Sequence, residues 1–366
     1  MRRAYFNVWS ALAITLALLG TPLYAQFVYV ASQEDIVWGF MIDPLTGALT
    51  AVPGSPFAAG AGAGAVSLAV DPNGRFAYVA SYYPNTVTGY TINPTTGVLT
   101  IVGGSPFATG NSPSSMAVDP SGKFAYVTIP DPDHVWGYTI NPDTGALTPI
   151  ANSPFIAGEA PHSVAVDPSG KFAYVVNLFG NNVSGYSINP VTGALTAITG
   201  SPFATGPRTN EPISVAVDPN GKFSYVAILD GTLVSGFTID PLTGALTAIA
   251  GSLFGPVGYS GFSVAVARVK PSVHGVYITN EGSKSVSVIN PSTNVVVSTI
   301  TVGANPVDAA LTPNGATPYI TNAGADTVSV VNTATNAVTT TVKVGWHPVD
   351  AAVTPDGSSV YVTNEV

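Results

Sequence analysis

Hydrophobic and polar residues alternate along most of this chain in short runs, and each run ends at a turn that contains Asp or Asn, Pro and Gly. A typical unit has its runs at residues 115–118, 124–128, 135–140 and 146–150. These runs are rich in Val, Ile, Thr, Tyr and Phe, which favour β-strands that are packed on their faces. The pattern predicts four strands in each unit, named A, B, C and D in chain order, and shows no helical period after residue 25.

The turns between the runs have a physical basis. In the unit above, Asp119 and Asn141 open two of the turns, and each is followed by a proline that sets φ at the next position. Gly122 and Gly145 then permit the chain to reverse. The same turns recur with little change, which indicates an internal repeat.

One tyrosine marks every repeat. It lies in the motif Phe-x-Tyr-Val or a later variant of it, and its spacings are 49, 48, 48, 51, 52, 42 and 42 residues. The eight equivalent residues are Tyr29, Tyr78, Tyr126, Tyr174, Tyr225, Tyr277, Tyr319 and Tyr361. A period of ~40–50 residues with four short strands is typical of β-propeller blades.

The strand count predicts an all-β, seven-bladed propeller of four-stranded antiparallel blades. Strands A, C and D each occur seven times, whereas strand B occurs eight times. The chain after residue 25 begins with a B strand and ends with an A strand, near 349–354, and a B strand, near 360–363. We therefore expect the N- and C-terminal strands to share one closing blade, which removes exposed sheet edges. One of the two terminal B strands is then surplus, or the two compete for one place.

Residues 1–25 have the layout of a secretory signal peptide. Arg2 and Arg3 precede an apolar run at 11–20, and Ala25 supplies the small residue that cleavage requires. The run is shorter than the ~20 residues that span a bilayer. We predict cleavage and export to the periplasm, the cell surface or the medium, and a retained membrane anchor is the alternative.

Charged residues are scarce and mostly acidic. They make up 8% of the chain, against ~25% in typical globular proteins. Without Arg2 and Arg3, 9 basic residues remain against 20 acidic ones, a net charge of −11. Because no basic stripe is present, a nucleic-acid partner is not expected. We expect a monomer that has no membrane contact after cleavage. There is no cysteine, so the core alone must stabilise an exported protein.

Two sets of motifs resemble known propeller families. The first five units carry Asp-Pro-Ser/Asn-Gly-Lys-Phe-Ala-Tyr-Val, Asn-Pro-x-Thr-Gly-Ala-Leu-Thr and Gly-Ser-Pro-Phe-Ala-Thr-Gly, which resemble the bacterial seven-bladed β-propeller lactonases, the family of the propeller-type 6-phosphogluconolactonase. The last units, with Tyr361-Val-Thr-Asn and Val302-Gly-Ala-Asn-Pro, resemble YVTN repeats. We expect a single propeller domain at 26–366, lactonase-like at 26–260 and YVTN-like at 261–366. These motifs are turns and core strands, so they imply the fold more strongly than the chemistry.

The loops on one face of the predicted propeller differ between units, whereas the turns on the other face are nearly uniform. In a propeller the A–B and C–D turns share one face, and the B–C and D–A loops share the other. Rigid scaffolds commonly carry their functional residues on variable loops. We therefore place the candidate site on the B–C and D–A loops, which include Tyr82-Tyr83, Asp131 to His134, Glu159 to His162, Arg208 to Glu211 and Trp346-His347.

The lactonase resemblance implies a catalytic role for His162, which follows Pro161 at the start of a strand A. A histidine there can transfer a proton or polarise a lactone carbonyl. The family also implies an arginine and a glutamate in the next unit, but those places hold Ile213 and Leu229. Arg208 and Glu211 lie close by in an inserted loop and are the candidates to replace them. The alternative is that His162 is a hydrogen-bonded residue at the inner mouth of the ring.

Other polar groups carry weaker signals. Asp131, Asp133 and His134 resemble a metal-ligand cluster, but Pro132 interrupts them, and a solvated loop is the favoured interpretation. We predict no metal and no cofactor. One polar residue recurs at the start of each strand A, and we expect it to satisfy backbone groups around the central channel. These residues are Ser67, Ser115, Ser163, Ser214, Ser263, Asp308 and Asp350.

Two functions from different classes fit these observations. The first is an exported scaffold or binding protein whose variable loops bind a small molecule, a glycan or a protein. The second is a lactone hydrolase related to 6-phosphogluconolactonase. Export, the YVTN-like units and the residues at 213 and 229 favour the first, whereas the family resemblance favours the second.

Overall fold

The computed structural model describes residues 27–32, 36–42, 49–58, 64–206, 211–229, 233–250, 253, 264–266, 275–290, 295–312, 315–353 and 360–364. These residues form an all-β propeller of seven blades, which confirms the predicted fold class. The predicted signal peptide and Arg208 lie outside the described residues. Among the described residues, no helix has the length and hydrophobicity that a membrane crossing needs.

Blades are numbered from the first strand A, and strands in chain order. Blade 1 consists of β5 (Ala65–Val70), β6 (Phe76–Ser81), β7 (Thr86–Ile92), β8 (Leu99–Ile101) and β9 (Phe107–Ala108). Blade 2 consists of β10 (Ser115–Val118), β11 (Phe124–Ile129), β12 (His134–Ile140), β13 (Leu147–Pro149) and β14 (Phe155–Ile156). Blade 3 consists of β15 (Pro161–Val166), β16 (Phe172–Asn177), β17 (Asn182–Ile188), β18 (Leu195–Ala197) and β19 (Phe203–Ala204). Neighbouring strands pair antiparallel in the order A-B-C-D, because short turns join them.

The next three blades have four strands each among the described residues. Blade 4 consists of β20 (Pro212–Val217), β21 (Phe223–Ile228), β22 (Leu233–Ile239) and β23 (Leu246–Ala248). Blade 5 consists of β24 (Val264–Val266), β25 (Val276–Asn280), β26 (Ser285–Asn290) and β27 (Val295–Thr301), with a 3₁₀ turn at Glu281–Ser283. Blade 6 consists of β28 (Pro306–Leu311), β29 (Pro318–Asn322), β30 (Thr327–Asn332) and β31 (Ala337–Lys343).

Both ends of the chain meet in blade 7, but among the described residues they form two sheets rather than the single four-stranded sheet that the strand count predicts. Blade 7 consists of β32 (Pro348–Val353), β33 (Val360–Asn364), β1 (Phe27–Ser32), β2 (Ile36–Ile42), β3 (Leu49–Ala51) and β4 (Phe57–Ala58). The A strand β32 pairs with β33, and the C strand β2 pairs with β1. The two B strands, β33 and β1, lie against each other. Neither B strand is left out, because each keeps its own hairpin partner.

A segment Gly-Ser-Pro-Phe-Ala, which is Asn-Ser-Pro-Phe-Ile in blade 2, adds a short outer strand to blades 1, 2, 3 and 7. The two-residue strands β9, β14, β19 and β4 each pair with strand C of their own blade, beyond the end of strand D. In blade 2 the N–H of Gly137 donates to Ser153 Oγ at 2.8 Å, and the C=O of Gly137 accepts the N–H of Ile150 at 2.9 Å. The serine hydroxyl therefore continues the hydrogen bonding of strand C across the gap between β13 and β14.

The seams between blades hold the hydrophobic core. One cluster combines Phe76 and Tyr78 of blade 1 with Met116, Ala125 and Tyr138 of blade 2, all of them buried. Equivalent clusters lie between the later blades. Since each blade is apolar on both faces, the ring is stabilised by packing each blade against its two neighbours.

The repeated tyrosine joins each of four blades to the next. Tyr126 of blade 2 donates its hydroxyl to the C=O of Gly193, in the C–D turn of blade 3, at 2.8 Å. Gly193 has a φ of +72°, and a Cβ there would lie 2.4 Å from the ring of Phe124. The equivalent hydrogen bonds join Tyr29 to Gly97, Tyr78 to Gly145, and Tyr174 to Gly244. The recurrent Phe-x-Tyr and Thr-Gly motifs are therefore two halves of one contact between blades.

Candidate functional site

The variable loops are held on one face of the ring, called here the loop face, which consists of the B–C turns and the D–A loops. In blade 2, Asp133 of the B–C turn has a φ of +47° and binds the D–A loop. Its C=O accepts the N–H of Ala157 at 2.9 Å, and its Oδ1 accepts the N–H of Ala160 at 2.8 Å. Equivalent side-chain contacts are made by Asn85, Asn181 and Asp326. Loops of different sequence thus share the same anchor points.

This anchor gives a structural role to part of the cluster of Asp131, Asp133 and His134, which resembles a set of metal ligands in the sequence. Asp133 caps a loop with the carboxylate oxygen that a metal site would need, and Asp131 is exposed. His134 is the first residue of β12 and is half-buried. Among the described residues, no group of three or more His, Asp or Glu side chains is arranged to hold a metal ion.

The polar row at the start of strand A satisfies backbone groups around the centre of the ring, as predicted, wherever the hydrogen bonds are described. Strands A of successive blades contact one another and so line the centre. Ser67 Oγ accepts the N–H of Met116 at 2.9 Å, and Ser163 Oγ accepts that of Val215 at 3.4 Å. Asp308 Oδ2 accepts the N–H of Ala351 at 2.8 Å. Each contact runs from one blade to the next, so these groups stabilise the ring.

His162 occupies a β-bulge at the start of strand A in blade 3. Pro161 pairs with Asn177 and Ser163 pairs with Val176, which leaves His162 as the extra residue of the bulge. Bulges re-aim a side chain relative to its strand and are common beside active sites. Other blades have a bulge at the same place, where the extra residues are Val66, Ile213, Val307 and Val349. Among these described bulges, only the one in blade 3 carries an ionisable side chain.

The imidazole of His162 bridges two blades. Its Nδ1 lies 2.9 Å from the C=O of Ile213, the bulged residue of blade 4. A carbonyl oxygen only accepts hydrogen bonds, so Nδ1 carries the proton and Nε2 of the neutral ring keeps its lone pair. Burial lowers the pKa of His162 below its ordinary value, and the hydrogen bond to Ile213 partly opposes this effect. As a whole residue, His162 is half-buried. His162 is therefore a neutral base at pH 7.

Glu211 lies just before strand A of blade 4. Ile213, whose carbonyl binds His162, is two residues from Glu211, a Cα separation of at most ~7 Å. Glu211 has a φ of +35° and donates its N–H to Asn181 Oδ1 at 3.0 Å, while its C=O accepts the N–H of Leu229 at 3.0 Å. It therefore occupies the regular anchor position before strand A, and its half-buried side chain stays on the loop face.

The two family positions in blade 4 are apolar. Ile213 is buried and Leu229 packs against the same hydrophobic cluster. Neither side chain can bind an anion or transfer a proton, so any chemistry at His162 depends on neighbouring residues.

The loop face also holds a pair that sequence reasoning did not join. Glu281 follows strand B of blade 5, and His347 precedes strand A of blade 7. Burial raises the pKa of the Glu281 carboxyl, and the nearby His347 opposes the rise. The two are 66 positions apart in the sequence, so only their interaction in the folded ring reveals the pair.

Comparison with known proteins identifies a family that this chain matches. The model of the seven-bladed β-propeller lactonases matches residues 39–165 and 155–260, which is more than half of the chain. No curated protein sequence matches the chain. The match favours a hydrolase, the second of the two functions weighed from the sequence, over an exported scaffold.

Solved structures show the same fold. A candidate 6-phosphogluconolactonase from Bacteroides fragilis has 19% identity and a TM-score of 0.74, with 90% of this chain and 99% of that chain covered. The periplasmic gluconolactonase of Pseudomonas aeruginosa has 19% identity and a TM-score of 0.66, with 88% and 97% covered. Hydrazine synthase of Kuenenia stuttgartiensis also shares the fold, with 18% identity, a TM-score of 0.60, and 82% and 92% covered. Since one fold serves such different chemistry, the assignment rests on the family match: the chain belongs to the seven-bladed β-propeller lactonase family.

Proposed function

We propose that this protein is an exported lactone hydrolase whose reaction takes place beside His162 on the loop face. The observation that carries the proposal is the hydrogen bond from His162 Nδ1 to the C=O of Ile213, at 2.9 Å. It holds the ring in the tautomer that leaves Nε2 available as a base. Membership of the lactonase family supports the same reaction class.

The chemistry follows from this tautomer. His162 Nε2 takes a proton from a water molecule while the water oxygen bonds to the carbonyl carbon of the lactone. The ring C–O bond then breaks, the proton passes to the departing oxygen, and a hydroxy acid forms. We assign Glu211 the stabilisation of the imidazolium that exists during this step, because an opposite charge stabilises the charged form. We assign Arg208 the stabilisation of the carbonyl oxygen as it becomes negative.

The charge distribution supports a neutral lactone as substrate. Four of the described basic residues, Arg75, Lys123, Lys171 and Lys222, lie after the A–B turns, on the face opposite His162. The loop face carries Asp131, Glu159 and Glu211. A phosphate group needs cationic partners, and in the described part of this face they are scarce. We therefore propose an unphosphorylated sugar lactone, the type of compound that the name of the Pseudomonas aeruginosa gluconolactonase implies.

Export belongs to the same proposal, since residues 1–25 have the layout of a signal peptide. N-terminal sequencing of secreted protein should then start at or near Gln26. A phosphorylated metabolite of the cytosol would not be available in that compartment, which agrees with a neutral substrate.

The direct test is hydrolysis of glucono-1,5-lactone and 6-phosphogluconolactone by the purified protein from residue 26 onward, with the spontaneous rate subtracted. We expect the neutral lactone to be hydrolysed with the higher kcat/KM. Hydrolysis of neither compound above the spontaneous rate would contradict the proposed reaction. A preference for the phosphorylated compound would contradict the proposed substrate class alone.

A further inference from the structure

The backbone that carries His162 is bonded to two hydroxyl groups of the preceding blade. Ser114 Oγ donates to the C=O of Pro161 at 3.0 Å. The same oxygen lies 2.8 Å from Thr128 Oγ1, which in turn lies 3.4 Å from the C=O of His162. Ser114 and Thr128, called here the hydroxyl pair, belong to blade 2, so these contacts cross the seam to blade 3.

The pair has two hydroxyl hydrogens, and the distances decide how they are used. If Thr128 donates to Ser114, the hydrogen of Ser114 serves the Pro161 carbonyl at 3.0 Å. The reverse order leaves Thr128 only the longer contacts, 3.3 Å to the C=O of Ser115 and 3.4 Å to that of His162. Shorter O–H···O bonds are the stronger ones. The favoured chain therefore runs from Thr128 through Ser114 to Pro161, and each bond in it polarises the next.

The carbonyl at the end of this chain orients the backbone of His162. The C=O of Pro161 and the N–H of His162 belong to one planar peptide group. Holding that carbonyl therefore holds the chain where it enters the β-bulge. The imidazole is bonded on the other side to the C=O of Ile213 at 2.9 Å. His162 is thus supported from both neighbouring blades, its backbone from blade 2 and its ring from blade 4.

The hydroxyl pair departs from the pattern of the neighbouring repeats. Ser114 directly precedes Ser115 of the polar row, so it has the place in blade 2 that His162 has in blade 3. Its equivalents in blades 1, 4 and 6 are Val66, Ile213 and Val307. Thr128 lies two residues after the repeated tyrosine, and its equivalents in blades 1, 3 and 4 are Ala80, Val176 and Ala227. Among blades 1 to 4, both places carry a hydroxyl only in the blade that precedes His162.

Burial separates the hydroxyl pair from any substrate. Thr128 is 0% exposed and Ser114 is 7% exposed. Their mutual contact and the bond to Pro161 are both buried. The pair can therefore affect a reaction on the loop face only through His162.

We propose that Ser114 and Thr128 are positioning residues, which hold His162 in the orientation that keeps Nδ1–H on the Ile213 carbonyl. The effect on rate rests on the proposed hydrolysis, whereas the effect on the ring does not. Without the pair, the Pro161 carbonyl loses its donor and the bulge can shift. A displacement of about 1 Å can lower a rate by ~10²-fold. The protonated nitrogen depends on the hydrogen bonds of the ring, so a displaced ring should also populate the Nε2–H tautomer.

The test compares Ser114→Ala and Thr128→Val with the unmodified chain from residue 26 onward. Valine fits the shape of threonine, and Val176 is buried at the equivalent place in blade 3. Nitrogen-15 NMR of labelled histidine reports the tautomer, and the signal missing from His162→Gln identifies that residue among the four histidines. We expect Nδ1–H alone in the unmodified protein and a mixture of tautomers in both variants. With glucono-1,5-lactone, kcat should fall by about tenfold to 10²-fold while KM is unchanged, since the pair does not touch the substrate.

Blade 5 offers a matched control for the loss of a buried hydroxyl. Thr279 has the place of Thr128 and donates to the C=O of Val307 at 3.2 Å, in a bulge that carries no ionisable side chain. Thr279→Val should lower the melting temperature about as much as Thr128→Val, because each leaves a carbonyl of the next blade without its donor. It should leave kcat and the His162 tautomer unchanged. Thr128→Ser keeps the hydroxyl and should retain the Nδ1–H tautomer and most of kcat.

The outcomes separate positioning from simple stabilisation. An unchanged His162 tautomer in both Ser114→Ala and Thr128→Val would overturn the proposal. So would an equal loss of kcat in Thr279→Val, or a Thr128→Ser protein as impaired as Thr128→Val. If the unmodified protein hydrolyses no lactone, the proposed function fails, and the tautomer measurement alone decides whether the pair positions His162.

Discussion

His162 Nδ1 lies 2.9 Å from the carbonyl oxygen of Ile213, and this contact connects the β-bulges of two neighbouring blades. The same contact has a structural and a chemical effect. It joins blade 3 to blade 4 at the centre of the ring, and it sets the tautomer that leaves Nε2 free. A substitution that tests catalysis at His162 must therefore keep the hydrogen bond to the Ile213 carbonyl while it removes the Nε2 base.

Glutamine at this position meets that requirement, because its amide can still donate to the Ile213 carbonyl. We expect His162→Gln to fold and to lose lactone hydrolysis by ~10²–10⁴-fold, the usual contribution of a positioned general base. The matched control is His134→Gln, which changes another half-buried histidine on the loop face. Equal turnover by His162→Gln and the unmodified protein would remove His162 from the mechanism.

The lowered pKa of His162 predicts the pH dependence of both activity and stability. The folded protein binds this proton less tightly than the unfolded chain, whose histidine has a pKa of ~6.5. Stability from this group is therefore complete above that value and is lost as the pH falls through the folded pKa. Hydrolysis should decline over the same acidic range, since protonated Nε2 is no base. Urea unfolding and rate measurements between pH 4 and 8 check this, and His162→Gln should remove the part of each slope due to His162.

The tyrosine contacts between blades predict unequal effects of one substitution. Tyr126→Phe leaves the Gly193 carbonyl without its donor and should cost about 0.5–1.5 kcal/mol of unfolding free energy. Tyr225 is equally buried, but its hydroxyl has no hydrogen-bond partner among the described residues. Tyr225→Phe should therefore be neutral or slightly stabilising. Denaturant unfolding of the two variants measures the difference, and equal costs would contradict a role for the hydroxyl bond.

The close contact between Phe124 and Gly193 predicts a large cost for a single methyl group. In Gly193→Ala the new Cβ would lie 2.4 Å from the Phe124 ring, at a φ of +72° that alanine disfavours. Overpacking and the left-handed backbone together should cost at least about 2 kcal/mol. Gly103→Ala is the control, because its Cβ meets nothing within 4 Å. A Gly193→Ala protein as stable as Gly103→Ala would show that the seam rearranges without penalty.

Closure of the ring predicts the effect of C-terminal deletion. Removing residues 348–366 takes away β32 and β33, uncovers the B strand β1 and opens blade 7. Each large apolar side chain that becomes exposed costs ~1.5–3 kcal/mol, so the melting temperature should fall sharply. Removing only 359–366 takes away β33 and the buried Val362, and should cost less. Equal melting temperatures for the full chain and the longer deletion would exclude a role of the C-terminal hairpin in closing the ring.

Much of the architecture can be predicted from local patterns. Alternation of period two, the Asp-Pro-x-Gly turns and the tyrosine spacing predict the strands and the seven blades, because each depends on residues close in sequence. The role of the polar row at Ser67 and its equivalents could also be predicted, since a repeat places equivalent residues at equivalent depths. The short outer strand at Phe107–Ala108 could not, because two residues after a proline carry no strand periodicity.

The positions of the candidate site residues depend on contacts between blades. The sequence by itself determined that a histidine follows Pro161, that Ile213 and Leu229 stand where the family implies charged residues, and that the loop face varies. Only the tertiary structure decided that His162 is the extra residue of a β-bulge and that its Nδ1 is bound to the carbonyl of Ile213 in the next blade. The reason is physical: a repeat specifies each blade by short-range pattern, whereas a site at the centre of the ring is assembled from residues of different blades, whose separation depends on how the ring closes.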